Sequence, residues 1–174
     1  MNEKNIEEYL DLLFENFGVH PIVNEKELRE CFDLDLYSDL VYNIAKIMGL
    51  NNKFKVTYNS NPNHHYYKNS IKVIIMRSLM TRTSIDEFKS LRIYFEIESS
   101  LKKNFELFVK IITYELSDLL LQSKNYETNS ESMVELCALV FGFDKFLLYP
   151  PGLSSLTDEQ KNFAIACVEK RRNS

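Results

Sequence analysis

Apolar positions recur at helical spacing along most of this chain, interrupted in the middle by stretches that alternate. Residues 3 to 17 place Ile6, Tyr9, Leu10, Leu13, Phe14 and Phe17 on one face, with Glu7, Glu8, Asp11 and Glu15 largely opposite. Gly18 ends this helix, and Val19-His20-Pro21 begins a connection. Asn24 caps a short helix through Phe32, with Glu27 at its third position. Ser38 is expected to cap a helix whose apolar face is Leu40, Val41, Ile44, Ala45, Ile47 and Met48, and Gly49 stops it. The period then changes. Phe54, Val56 and Tyr58 alternate with lysines and a threonine, Ile71 to Met76 is almost continuously apolar, and Leu91, Ile93, Phe95 and Ile97 alternate again. Ser84 and Glu87 predict a capped helix of one to two turns ending near Ser90.

Helical spacing returns from about Leu101 to Gln122, carried by Leu107, Phe108, Ile111, Ile112, Leu116, Leu119 and Leu120. A further helix is expected over 130–148, closed by Tyr149-Pro150-Pro151-Gly152, and Thr157 caps a last one over 157–172. The basic end, Glu169 to Arg172, is expected to fray into solvent. These elements predict a single α+β domain over 1–174. Helices fill 1–49, and a small mainly antiparallel or mixed sheet of about three strands over 53–98 packs on the long central helix at 101–122. A helical second half follows.

Composition narrows the function classes. The 174 residues are 45% hydrophobic with a formal net charge of −4, which argues against a general nucleic-acid binder. Cys31, Cys137 and Cys167 share no CxxC spacing and read as reduced core thiols. The acidic, amphipathic start has no apolar signal core, and no uncharged apolar run approaches the roughly 18 residues of a membrane span. A cytoplasmic protein with no membrane association is expected. His20 reads as a turn residue. Adjacent His64 and His65 sit in a polar loop from Asn59 to Asn69 and make a poor two-ligand pair.

Two carboxylates stand out in the central helix, because a charge inside an apolar helix costs several kcal/mol unless it is paired, hydrogen-bonded, metal-bound or protonated. They are Glu115 and Asp118, within Tyr114-Glu115-Leu116-Ser117-Asp118. That register resembles the H-E-x-x-H helix of zinc peptidases, in which two histidines hold the metal and the glutamate activates its water. Further on, Ser130-Glu131-Ser132-Met133-Val134-Glu135 resembles the N-E-x-x-[ST]-D segment of thermolysin-like peptidases. The run from Leu136 to Leu148 is similar to the segment that follows in small bacterial zincin-like proteins.

The resemblance, over roughly residues 50 to 150, implies a minimal zincin-like core. Glu115 would be the relic of its general base, Glu131 would take the third-ligand position and Glu135 would support a ligand. Both histidines are replaced, by Tyr114 and Asp118. A phenol with a pKa of about 10 is a poor zinc ligand at neutral pH. Without zinc, Glu115 has no activated water to work on. The expectation is therefore a catalytically inactive metallopeptidase-like domain with no zinc or other cofactor, binding a protein or peptide partner. An extended peptide would add at a sheet edge, for which the Leu91 to Ile97 strand is a candidate. One alternative is a hydrolase with Mg²⁺, Mn²⁺ or Ca²⁺ held by oxygens of Asp118, Glu131 and Glu115. Another is a small acidic immunity or inhibitor protein without enzymatic ancestry.

Overall fold

The computed structural model describes residues 1–51, 53–59, 71–75, 92–124, 126, 130–148 and 154–174. The expected helix ending near Ser90, the His64-His65 loop and the Tyr149 to Gly152 turn lie outside the described residues. The described chain forms helices α1 (Glu3–Phe17), α2 (Glu25–Asp33) and α3 (Tyr37–Ile47), then extended segments β1 (Lys53–Asn59), β2 (Ile71–Ile75) and β3 (Arg92–Glu98). A 3-10 turn (Ser99–Lys103) leads into α4 (Phe105–Ser123), α5 (Glu131–Val140), α6 (Asp144–Leu148) and α7 (Asp158–Arg172).

The chain is mostly helical, and this corrects the expected α+β fold class built on a three-strand sheet. Among the side chains described, the buried apolar set belongs to the helices and their flanks, with Ile97 as the strands' contribution. The extended segments do pair as a short ladder in the order β1-β3-β2, parallel between β1 and β3 and antiparallel between β2 and β3. The ladder's main helical neighbour is α3, on β1, rather than the long central helix. Alternation in sequence reports that an extended segment has one covered face; it does not report whether that segment carries the core. The strand proposed as an edge is also corrected, because β3 is flanked on both sides.

Two compact units are distinguishable, one of Met1–Val23 with Glu127–Ser174 and the other of Asn24–Tyr126. In the first, α1 packs on α5 and α7, and α5, α6 and α7 pack on one another. Asn2 and Asn5 form a capping box at the start of α1, and Thr157 and Gln160 form one at the start of α7. Ile6, Leu10 and Leu13 from α1, Leu136, Leu139 and Val140 from α5, and Ala164 and Val168 from α7 are buried. Each larger member contributes roughly 1.5–3 kcal/mol by leaving water.

The single helix expected over 130–148 is broken. Gly142, at φ 95°, ends α5 with bonds from its own N–H to Leu139 O (3.0 Å) and from Phe143 N–H to Ala138 O (3.2 Å). The close approach there also demands glycine, since a Cβ would fall 2.1 Å from the Pro21 carbonyl oxygen. Val23 N–H donates to Gly142 O at 3.0 Å, and His20 lies 4.6 Å from the Phe141 ring.

Arg172 closes this junction instead of fraying. Its guanidinium grips Asp144 in a two-pronged pair (2.6 and 2.9 Å) and donates to Leu139 O (3.0 Å) and His20 O (2.8 Å). The two charged side chains are only 10% and 13% exposed.

In the second unit, α2 packs on α3, and α3 on α4. Phe32, Tyr37, Phe105 and Phe108 form an aromatic cluster with centroids 5.4–5.8 Å apart. Arg29 lies 4.3 Å over the Phe105 ring while pairing with Glu25 (3.0 Å) and Glu106 (2.8 Å). Asn24 caps α2 as expected, but Ser38 does not cap α3. That helix starts two residues earlier, from Leu36, because the chain leaves α2 through Asp35 at φ 58°. The Asp35 N–H bonds to Phe32 O and the Leu36 N–H to Cys31 O, so the turn itself delivers Tyr37 into the helix.

Two predictions follow from these junctions. Arg172→Ala leaves Asp144 buried and unpaired, so urea unfolding is expected to show a loss of about 3 kcal/mol. Arg172→Lys, which has no planar fork, recovers less than half of it. Tyr37 is pushed up to about 12, first by burial and then by its 2.6 Å hydrogen bond to Asp35. The unfolded phenol loses its proton at about pH 10, before the native one does. The associated stability is complete below about pH 10 and declines as pH rises toward 12. Unfolding midpoints measured across that range are expected to fall less steeply in Tyr37→Phe.

Candidate functional site

The motif helix α4 is buried around most of its circumference, through Phe108, Val109, Ile112, Leu116, Leu120 and Leu121. Tyr114, Glu115 and Asp118 are only half-buried. Positions 114, 118 and 122 recur every fourth residue, so they share one stripe along the helix, with 115 beside it. Gln122 continues the stripe, and its Nε2 donates to Asp118 Oδ2 at 2.8 Å. Asp118 thus occupies the less buried face of an otherwise apolar helix, whereas Glu115 Oε1 is buried. With Gln122 as its donor, Asp118 needs no metal to offset the cost of full burial. Two of the polar residues deeply buried on α4 satisfy the helix itself: Thr113 Oγ1 donates to Lys110 O (2.9 Å) and Ser123 Oγ to Leu120 O (2.6 Å), whereas the buried Ser117 Oγ has no hydrogen-bond partner among the described residues.

Glu131 and Glu135 fall on α5, in the other compact unit. Glu131 is exposed in the first turn, where its charge favours the helix dipole, and Ser130 caps that helix through Met133 N–H (3.4 Å). Glu135 is buried and engaged. Its Oε1 accepts from the Ser155 N–H (2.7 Å) and Ser155 Oγ (2.8 Å), and its Oε2 accepts from Ser154 Oγ. Ser132 Oγ in turn meets Ser155 Oγ at 2.9 Å. This set ties the segment before α7 to α5. The residue that the zincin resemblance assigns to supporting a metal ligand therefore holds a chain crossing, with both oxygens committed to serine donors.

No three His, Cys, Asp or Glu side chains gather at metal-binding distances among the described residues. His20, the one described histidine, bonds to Phe17 O at 2.8 Å and belongs to the Gly142 junction. No helix among the described residues is long and apolar enough to cross a membrane. In the α1–α7 pair, Glu7, Asp11, Phe14, Cys167, Lys170 and Arg171 line a shallow cleft. Its charges are already partnered in part, since Arg171 pairs with Asp11 and lies 5.2 Å from the Phe14 ring centroid. Burial, and then Glu7, push the Cys167 thiol up, which keeps it protonated and inert.

Two features escaped the sequence reading. Arg172 gave no local sign that it would be held, because its partners are distant in the chain. The Leu34-Asp35-Leu36 turn did carry a sign, since Leu34 falls off the apolar face that Leu28 and Phe32 define on α2.

Comparison with known proteins found no matching family model, no matching curated protein and no matching solved structure. The zincin resemblance rests on the quoted residues alone.

The role of Glu135 is testable. Glu135→Ala strips the Ser155 N–H of its charged acceptor and is expected to lower stability by about 2 kcal/mol. Amide exchange at Ser155 and Leu156 should accelerate, while amides in α4 keep their relative protection.

Proposed function

We propose that the protein is a non-catalytic, cytoplasmic protein-binding domain, whose peptidase-like residues on α4 and α5 serve structure rather than chemistry. The observation that carries this reading is the commitment of both Glu135 oxygens to Ser154 and Ser155. A carboxylate already accepting three hydrogen bonds from a chain crossing is a poor orienting group for a catalytic metal. Support also comes from Asp118, which stands where the zinc-peptidase pattern has its second histidine and accepts from Gln122 in its own helix. A protein-binding role suits the net charge of −4, which repels nucleic acid and anionic membranes and steers basic partners. The three cysteines are free thiols, consistent with a reducing compartment.

The direct test is catalytic. Full-length protein incubated with casein and Zn²⁺, Mn²⁺ or Mg²⁺ is expected to leave the substrate intact. Cleavage that is abolished by Glu115→Gln would overturn the proposal.

A further inference from the structure

A surface that the peptidase-like motifs do not touch lies between α2 and α3. Leu34 is 69% exposed, Leu36 44% and Tyr42 46%, so three of the large exposed apolar side chains described fall within nine residues. Leu36, Asp39 and Tyr42 succeed one another at three-residue spacing along the start of α3, and Leu34 sits one turn residue before them. In a turn of this kind the residue after the helix often covers apolar surface by folding back on the last turn. Here Leu34 stays largely in water and Leu36 remains part-exposed.

Three further observations say what covers them. The turn places a non-glycine residue, Asp35, in left-handed backbone at φ 58°, a position glycine fills more easily. It thereby keeps a carboxylate between the leucines. The exposed residues Asp33, Asp35 and Asp39 interleave with the apolar side chains along the chain, and Glu30 precedes them; Asp35 also accepts from the Tyr37 hydroxyl at 2.6 Å. Finally, the C-terminal pole of α2 favours cations, yet its last turn holds no basic residue and ends on Asp33. The nearby cations do not fill that demand. Lys102 lies 5.3 Å over the Tyr37 ring, Arg29 is held by Glu25 and Glu106, and Lys46 stands a turn beyond Tyr42.

We propose that this α2–α3 turn is a docking surface for a basic amphipathic helix of a partner protein, with Leu34, Leu36 and Tyr42 as its apolar contacts and Asp33, Asp35 and Asp39 as its acidic rim. The proposal rests on the protein-binding reading above and names the surface and the partner's chemistry. A helix with leucines at i, i+3, i+4 and i+7 presents an apolar stripe to the two leucines and the tyrosine, and flanking lysines reach the carboxylates and the α2 pole. Such contacts make association fast and sensitive to salt, while the leucines set the residence time.

The test uses a fluorescein-labelled peptide of leucine and lysine in that amphipathic order, titrated with the full chain and followed by anisotropy. Binding in the micromolar range is expected, falling about tenfold in a Leu34→Ser/Leu36→Ser variant and unchanged in Ile22→Ser, which alters an exposed apolar side chain elsewhere. Asp33→Asn/Asp39→Asn, which keeps every apolar contact, is expected to weaken binding about fivefold and flatten its salt dependence. A scrambled peptide of the same composition should bind no better than the Leu34→Ser/Leu36→Ser variant binds the ordered one. Absent binding, or equal binding by the two serine variants, overturns the surface. Sedimentation that shows self-association through Leu34 and Leu36 also overturns it, by assigning the surface to a second copy. Cleavage of the peptide during the titration would instead overturn the non-catalytic reading while leaving the surface in place.

Discussion

The guanidinium of Arg172 holds together chain segments that lie far apart in sequence. It pairs with Asp144 at the start of α6 and donates to the Leu139 carbonyl near the end of α5 and to the His20 carbonyl in the connection after α1. At the same junction Gly142 must be glycine, because the Pro21 carbonyl occupies the space of a side chain. A buried charged pair is a weak source of net stability, but removing one partner is severe, so the pair specifies one arrangement more than it deepens it. With the Glu135–Ser155 tie it fixes the chain on either side of α7.

That arrangement changes the meaning of the carboxylates that look catalytic in sequence. Glu135 has become a fastener. Asp118 lies along the less buried stripe of α4, where Gln122 continues the polar line, and Glu115 lies beside it with Oε1 buried. The H-E-x-x-H frame and a partly solvated helix stripe share the same i, i+4 geometry, so the register alone could not separate them. What separates them is the donor set: a phenol and a carboxylate in place of two imidazoles, and a supporting acid that already has three donors.

Much of the helical scaffold was legible. The limits of α1 and the caps at Asn24 and Thr157 follow from apolar spacing and N-cap chemistry, which are local. The fold class was misread for the complementary reason. Alternation at Phe54-Val56-Tyr58 and Ile93-Phe95-Ile97 marks extended chain, but which layer carries the core is decided by long-range burial, and among the described side chains that burial lies mostly in helices. Ser38 resembles a cap in sequence because the left-handed Asp35 turn, which starts α3 earlier, has no glycine to announce it. The break at Gly142 and the hold on Arg172 depend on residues more than a hundred positions apart, Pro21 and His20 among their partners, and no local pattern encodes them. The candidate docking turn is visible only as one leucine, Leu34, off the helix face.

The central claim is that the peptidase-like residues hold structure and carry no catalytic metal. The most direct measurement is the metal content of the full chain purified without chelators, by inductively coupled plasma mass spectrometry. The account predicts zinc, manganese and other transition metals far below one ion per chain, unchanged by Glu131→Ala or Asp118→Ala. One tightly held ion per chain, lost in either variant, would contradict it.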